Sequence, residues 1–137
     1  MYFDYFGIRE GNNAPGANSP SRIWYLAEGC TRVGFDTYIL LQNPSGKDTG
    51  AILEFLLADG TVKKMGVHLE ARSRRTVKVN EVGGMGAAEF STRVTCGEPI
   101  VVERASYFNY GPKPGGTNDM GVTGPALQWY FAEGCTR

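Results

Sequence analysis

The chain has 137 residues, with 14 basic and 14 acidic side chains and a formal net charge of zero. This balance lacks the basic stripe of a nucleic-acid-binding surface, and no apolar run approaches the roughly 18 residues of a membrane span, so neither nucleic acid nor membrane insertion is expected. Nineteen glycines and seven prolines favour strands joined by tight turns over long helices.

In chain order, Trp24–Glu28 is a short apolar strand. Asp36–Asn43 follows and is closed by Pro44-Ser45-Gly46, a cluster of turn formers. Ala51–Leu57 alternates, which sets Ala51, Leu53, Phe55 and Leu57 on one face. Asp59-Gly60 is a hairpin signal, and Val62–Leu69 is the returning strand. Arg74–Asn80 alternates again, and the glycine-rich Val82–Ala87 reads as a loop or a single helical turn. Phe90–Cys96 and Ile100–Phe108 complete the set, separated by Gly97-Glu98-Pro99. Pro112–Pro125 is rich in glycine and proline and reads as a linker. Strands at this spacing, with no helical periodicity between them, predict an all-β fold, an antiparallel two-sheet β-sandwich of about seven or eight strands.

The end of the chain repeats its beginning. Trp24–Arg32 reads WYLAEGCTR and Trp129–Arg137 reads WYFAEGCTR, differing only at Leu26 against Phe131. Upstream, Tyr2–Ile23 lies over Tyr107–Gln128 without a gap, with Tyr2/Tyr107, Phe3/Phe108, Gly11/Gly116, Gly16/Gly121 and Pro20/Pro125 coinciding. The period exceeds the roughly 20–45 residues of a solenoid unit and matches an independent domain. The expected division is residues 1–23 as the tail of a preceding repeat plus linker, 24–128 as one complete repeat, and 129–137 as the first strand of the next. Neighbouring repeats are then the natural partners. The spare apolar strands also predict docking on the bead or a strand-exchanged homo-oligomer.

Catalysis is not expected. His68 is the one histidine, its strand neighbours Val67 and Leu69 take the opposite face, and it is read as pointing to solvent or sitting at a surface groove. No GxSxG, HExxH, P-loop or dinucleotide fingerprint occurs, so no cofactor is implied. Gly83-Gly84-Met85-Gly86 lacks the Lys-Ser/Thr of a phosphate cradle and reads as a flexible loop. No CxxC or Cys/His cluster suggests zinc. Cys30 and Cys135 occupy one repeat position, so the cysteines allow a disulfide, Cys30–Cys96 or Cys96–Cys135, or else unrelated thiols.

Charged residues within apolar strands are the candidates for a site. Alternation puts Trp24, Leu26 and Glu28 on one face, with Glu28 at the rim of the core. Ile100, Val102 and Arg104 share one face of their strand, and Val101, Glu103, Ala105 and Tyr107 the other. Half-buried charges require partners, and Glu28, Glu103, Arg104 and the Arg72/Arg74/Arg75 cluster can supply them, with Asn43 at another strand end. Two readings stay open: an internal ion-pair network, which the residues alone favour, or a polar cleft with Trp24, Tyr25 or Tyr107 stacking on a ligand.

The order of motifs is W-x-x-A-E-G at Trp24–Gly29, L-x-N at Leu41–Asn43, EARSRRTVKVN at Glu70–Asn80 and PIVVER at Pro99–Arg104. In that order the chain resembles the sensory rhodopsin transducer superfamily, and looks most like the tandem WYFAEG-type repeats of bacterial cell-surface proteins related to it. The resemblance covers about Trp24 to Tyr110. It implies a β-sandwich that binds small molecules such as sugars or related polar ligands without catalysis. By matching position, Trp24, Glu28, Asn43, Arg74, Asn80, Glu103 and Arg104 form the characteristic set. Repeat-bearing members are extracellular or on the cell surface, and stand-alone transducers are cytosolic. The expected function is therefore a surface repeat that binds a small polar ligand or glycan, with a structural stalk or a cytosolic sensor as alternatives.

Overall fold

Between Trp24 and Phe108 alternating apolar residues place strands where the sequence predicts them, and the pairing shows how they close on one core. The computed structural model describes residues 2–5, 8–12, 14–110, 113–131 and 136. The strands are β1 (Tyr2–Tyr5), β2 (Ile8–Gly11), β3 (Ser21–Leu26), β4 (Phe35–Asn43), β5 (Thr49–Leu57), β6 (Val62–Leu69), β7 (Ser73–Lys78), β8 (Phe90–Tyr110) and β9 (Lys113–Met120). Among the described residues the one helical element is a 3-10 turn at Val79–Glu81. All strand pairs are antiparallel.

The all-β, antiparallel class is as expected. β1 and β2 form a two-stranded sheet, and the other seven strands are linked in the order β6-β5-β8-β4-β7, with β3 and β9 also paired to β8. Strand β8 joins the halves. Its first part, from Phe90 to Cys96, pairs with β5 and with β3. Its second part pairs with β4 and β9. The partners change at Gly97-Glu98-Pro99, where two strands were expected. The backbone stays extended there, but Pro99 has no N–H to give a ladder. The Glu98 N–H turns instead to the Thr49 hydroxyl, 2.9 Å away.

The sheet curls around a single core. Trp24 and Leu26 from β3, Ile39 and Leu41 from β4, Leu53 and Phe55 from β5, Leu69 from β6, Val77 from β7 and Val94, Ile100 and Val102 from β8 all point inward. Phe55 and Phe90 meet edge to face at 5.4 Å, a favoured aromatic geometry. The glycine-rich loop is not the flexible segment expected. Met85 is fully buried in the core, and its carbonyl accepts a hydrogen bond from the buried Thr31 hydroxyl.

The region read as a linker is also largely strand. Residues Lys113–Met120 form β9, and beyond it Val122 exchanges backbone hydrogen bonds with Tyr25 at 2.8 and 2.9 Å, so the segment after β9 returns to β3. The sequence repeat recurs in the pairing. Tyr2↔Gly11, Phe3↔Glu10, Asp4↔Arg9 and Tyr5↔Ile8 in the β1–β2 hairpin match Tyr107↔Gly116, Phe108↔Gly115, Asn109↔Pro114 and Tyr110↔Lys113 in β8–β9, at the same offset. The end of the first hairpin lies against its copy. The Asn12 amide donates to the Thr117 hydroxyl and to the backbone and side-chain oxygens of Asn118, each at 3.1 Å.

Candidate functional site

Arg104 lies on the inner face of β8, only 7% exposed. One end of its guanidinium donates to the Glu28 carbonyl at 2.6 Å, and the other pairs with Asp119 at 2.7 Å. The Glu28 carboxylate stands farther off, at 3.4 Å, and is 80% exposed. Glu28 therefore falls beyond the end of β3 and turns to solvent, contrary to the inward rim position expected of it. What Arg104 holds is the backbone after β3, clamped to Asp119 of β9. Its Nε is buried and makes no hydrogen bond, so the arginine is a staple between strands with one donor left over.

Trp24 is wholly buried, with its indole N–H donating to the Ile100 carbonyl at 2.9 Å; it is core and cannot stack on a ligand. Asn43 is also wholly buried. Its amide donates to the carbonyls of Lys47 at 2.7 Å and Glu70 at 2.9 Å, and its oxygen accepts the Ser45 N–H at 3.0 Å. It ties the β4–β5 loop to the β6–β7 loop. Arg74 and Glu103 lie on the opposite, outer face and border a cavity of about 270 Å³ with Leu40, Gln42 and Val101. Tyr107, also outward, meets Tyr38 edge to face at 5.8 Å. The seven candidates do not converge: Glu28 and Arg104 meet at the end of β3, Asn43 is sealed at the far end of β4, and Arg74, Glu103 and Tyr107 spread along the outer face.

The disulfide between Cys30 and Cys96 is not formed; both thiols are free. Cys30 is bridged to Glu89, and Cys96 stands seven positions further along the chain. At about 3.3 Å per residue their separation is on the order of 20 Å, against a limit of roughly 7 Å between bridged Cα atoms. Burial raises the Cys96 thiol pKa. Cys135, the other proposed partner, lies outside the described residues. Among the described residues no group of three or more His, Cys, Asp or Glu could hold a metal ion, and no helix is long and apolar enough to cross a membrane. His68 faces solvent as expected, 3.7 Å from Asp48.

A larger concavity lies elsewhere, between the loop before β4 and the β8–β9 hairpin. It is a cleft of about 540 Å³ whose walls include Arg32, Phe35, Asp36, Asn80, Tyr107 and Phe108. Of the seven ligand candidates only Tyr107 reaches it. The loop is rigidly held: Gly34 has φ of +86°, and its carbonyl accepts the Asn109 N–H at 2.8 Å. Asn80 donates to the Phe35 carbonyl at 2.8 Å and accepts the Thr37 N–H at 3.1 Å. Asp36 pairs with Lys78 at 3.4 Å, which raises the Lys78 pKa. Phe35 and Phe108 face each other at 6.2 Å. Sequence reading missed Phe35, Asp36 and Phe108 because nothing in their spacing separates a cleft wall from ordinary strand residues. Thr31 and Arg32 sat in the duplicated nonamer, which was the available signal.

No family model and no curated protein matches the sequence. Among solved structures, the fold is similar to the crystal structure of Thermotoga maritima 1070, with a TM-score of 0.70 over 75% of this chain and 94% of that one, at 13% identity. It is also similar to the Anabaena sensory rhodopsin transducer, with a TM-score of 0.52 over 61% of this chain and 93% of that one, at 19% identity. At these identities the likeness defines the fold.

Proposed function

We propose that the chain is a non-catalytic β module of a larger bacterial surface protein, one unit of a WYFAEG-type tandem array with a structural, stalk-like role. The observation that carries this reading is the duplicated register: β1–β2 repeats the pairing of β8–β9 residue for residue. A hairpin standing before the unit in the form of the hairpin that ends it is what a preceding unit would leave behind. The candidate polar residues favour the same role, because Arg104 and Asn43 spend their hydrogen bonds holding strands and loops together. Because Arg137 aligns with Arg32, a second copy of residues 33–137 fused after Arg137 continues the period without a seam. In that two-unit chain Trp129 should become a buried β3 tryptophan, with its fluorescence emission shifted to the blue, and both units should unfold cooperatively. Trp129 emission unchanged from the single chain, or an aggregated product, would sink the array reading.

A second reading has its own observation, the 540 Å³ cleft, which falls in the roughly 300–1,000 Å³ range of ligand sites. Aromatic walls beside Arg32, Asp36 and Asn80 suit a sugar or related small polar ligand. Titrating a panel of sugars into isotope-labelled protein should shift the amide resonances of residues 31–36 and 107–109, and Tyr107→Ala should weaken the response. Silence across the panel at millimolar sugar removes this reading and leaves the structural one.

A further inference from the structure

The chain carries the apolar end of β3 twice, Trp24–Leu26 and Trp129–Phe131, and buries it once. In β3, Trp24 is 1% exposed and Leu26 is buried. Gly121 backs them so closely that an added Cβ would lie 3.1 Å from the Trp24 ring and 3.2 Å from Leu26. In the second copy Trp129 is 53%, Tyr130 90% and Phe131 87% exposed. Yet the Trp129 indole donates to the Ala126 carbonyl at 3.2 Å, three residues back, as Trp24 donates to Ser21 at 3.1 Å. The indole contact at the start of the nonamer therefore forms without the sheet. What the second copy lacks is the groove beside β8.

We propose that the two copies compete for that one groove within a single chain, so that Trp129–Phe131 replaces Trp24–Leu26 as the strand paired to β8. The tail starts close to its target, since Val122 is hydrogen-bonded to Tyr25 on both sides. Residues 123–129, with Gly124 and Pro125 as turn formers, connect Val122 to Tyr130, and hairpins need far less chain than this. The replacement is also complete in sequence. Thr136 matches Thr31, whose hydroxyl meets the Met85 and Ala88 carbonyls, and Cys135 matches Cys30. Exchange trades one set of hydrogen bonds for the same set and costs no association entropy, so it is favoured over donation of the tail to another molecule. Within the duplicated nonamer the copies differ at Leu26 against Phe131. The ring must fit against Gly121, where space is short, which holds the balance on the β3 side. The exchange needs only the duplicated strand and the groove, whether or not further units exist.

The test uses the full chain with Trp24→Ala, which weakens β3, together with Cys30→Ser, Cys96→Ser and Glu89→Cys. Residues 30 and 89 form a bridge flanked by the hydrogen bonds Thr31 N–H to Ala88 and Phe90 N–H to Gly29; such a pair brings side chains close across two strands. Exchange places Cys135 opposite position 89. The expected result is a disulfide between residues 89 and 135 within one chain, identified by peptide mapping of the monomer, with the remaining tryptophan emitting to the blue of a solvent-exposed indole. Adding Phe131→Ser should abolish both signals. Exposed-indole emission with no such crosslink, including outright unfolding, overturns the proposal. A crosslink that joins two chains overturns the intramolecular form and assigns the tail to a second copy.

Discussion

Two of the polar residues that look most like a binding set, Arg104 and Asn43, are the residues that hold strands and loops together. Glu54 extends this to a side chain that sequence reading passed over. It sits on the outer face of β5, level with Lys64 of β6 and Arg93 of β8, and pairs with Lys64 at 2.8 Å and with Arg93. The Lys64 ammonium first, and then the Arg93 guanidinium, hold its pKa below the usual carboxylate range. A folded-state pKa lowered in this way contributes stability above the unfolded value, and that contribution fades as pH falls through the folded value. Glu54→Gln should therefore lose stability relative to the parent near neutral pH, and the gap in urea midpoint should close below about pH 4. A gap that stays constant down to pH 2.5 would mean the pair does not stabilise the fold. Glu54 went unnoticed because a single acidic residue in an alternating strand reads as solvated. Only the register brings cations to it from both neighbouring strands.

At the scale of elements, the strands were legible and their company was not. Alternation located β4 to β7, and Gly97-Glu98-Pro99 marked a real break. That break was in hydrogen-bond partners and not in the backbone, which a one-dimensional pattern cannot distinguish. Lys113–Met120 was missed because Pro114, Gly115 and Gly116 carry no strand signal; β9 exists because β8 offers it an edge. Met85 was missed for the same reason, its burial being decided by the Thr31 loop above it. The repeat gives these context effects an internal control. Gly16 and Gly121 share one repeat position, yet an added Cβ at Gly16 meets nothing within 4 Å, whereas at Gly121 it meets the Trp24 ring, Leu26 and the Tyr25 carbonyl at 3.1–3.3 Å. Trp24 is locked by its hydrogen bond to Ile100, and Tyr25 by its bridge to Val122, so neither can give. Gly121→Ala should cost about 1–2 kcal/mol and Gly16→Ala no more than about 0.5 kcal/mol, measured by chemical denaturation. Equal effects would show that β3 packing at Gly121 is loose.

At the scale of the molecule, one strand decides whether the two halves behave as one. The residues that β8 sends inward before the partner change, Phe90 and Val94, and those after it, Ile100 and Val102, belong to the same core. Trp24 on β3 bonds across the change to Ile100, and Arg104 on the second part holds the backbone that follows β3. Neither half can open without breaking contacts that the other half needs, which is the condition for all-or-none unfolding in a small domain. The halves carry separate reporters. Trp24 lies in the first, and the edge-to-face pair of Tyr38 and Tyr107 in the second. In a Trp129→Phe background, which leaves Trp24 as the one tryptophan, fluorescence and near-ultraviolet tyrosine dichroism should give a single, superimposable urea transition. Two separated midpoints would mean that β8 bends into independent halves, and the curled sheet would then be two weakly coupled layers.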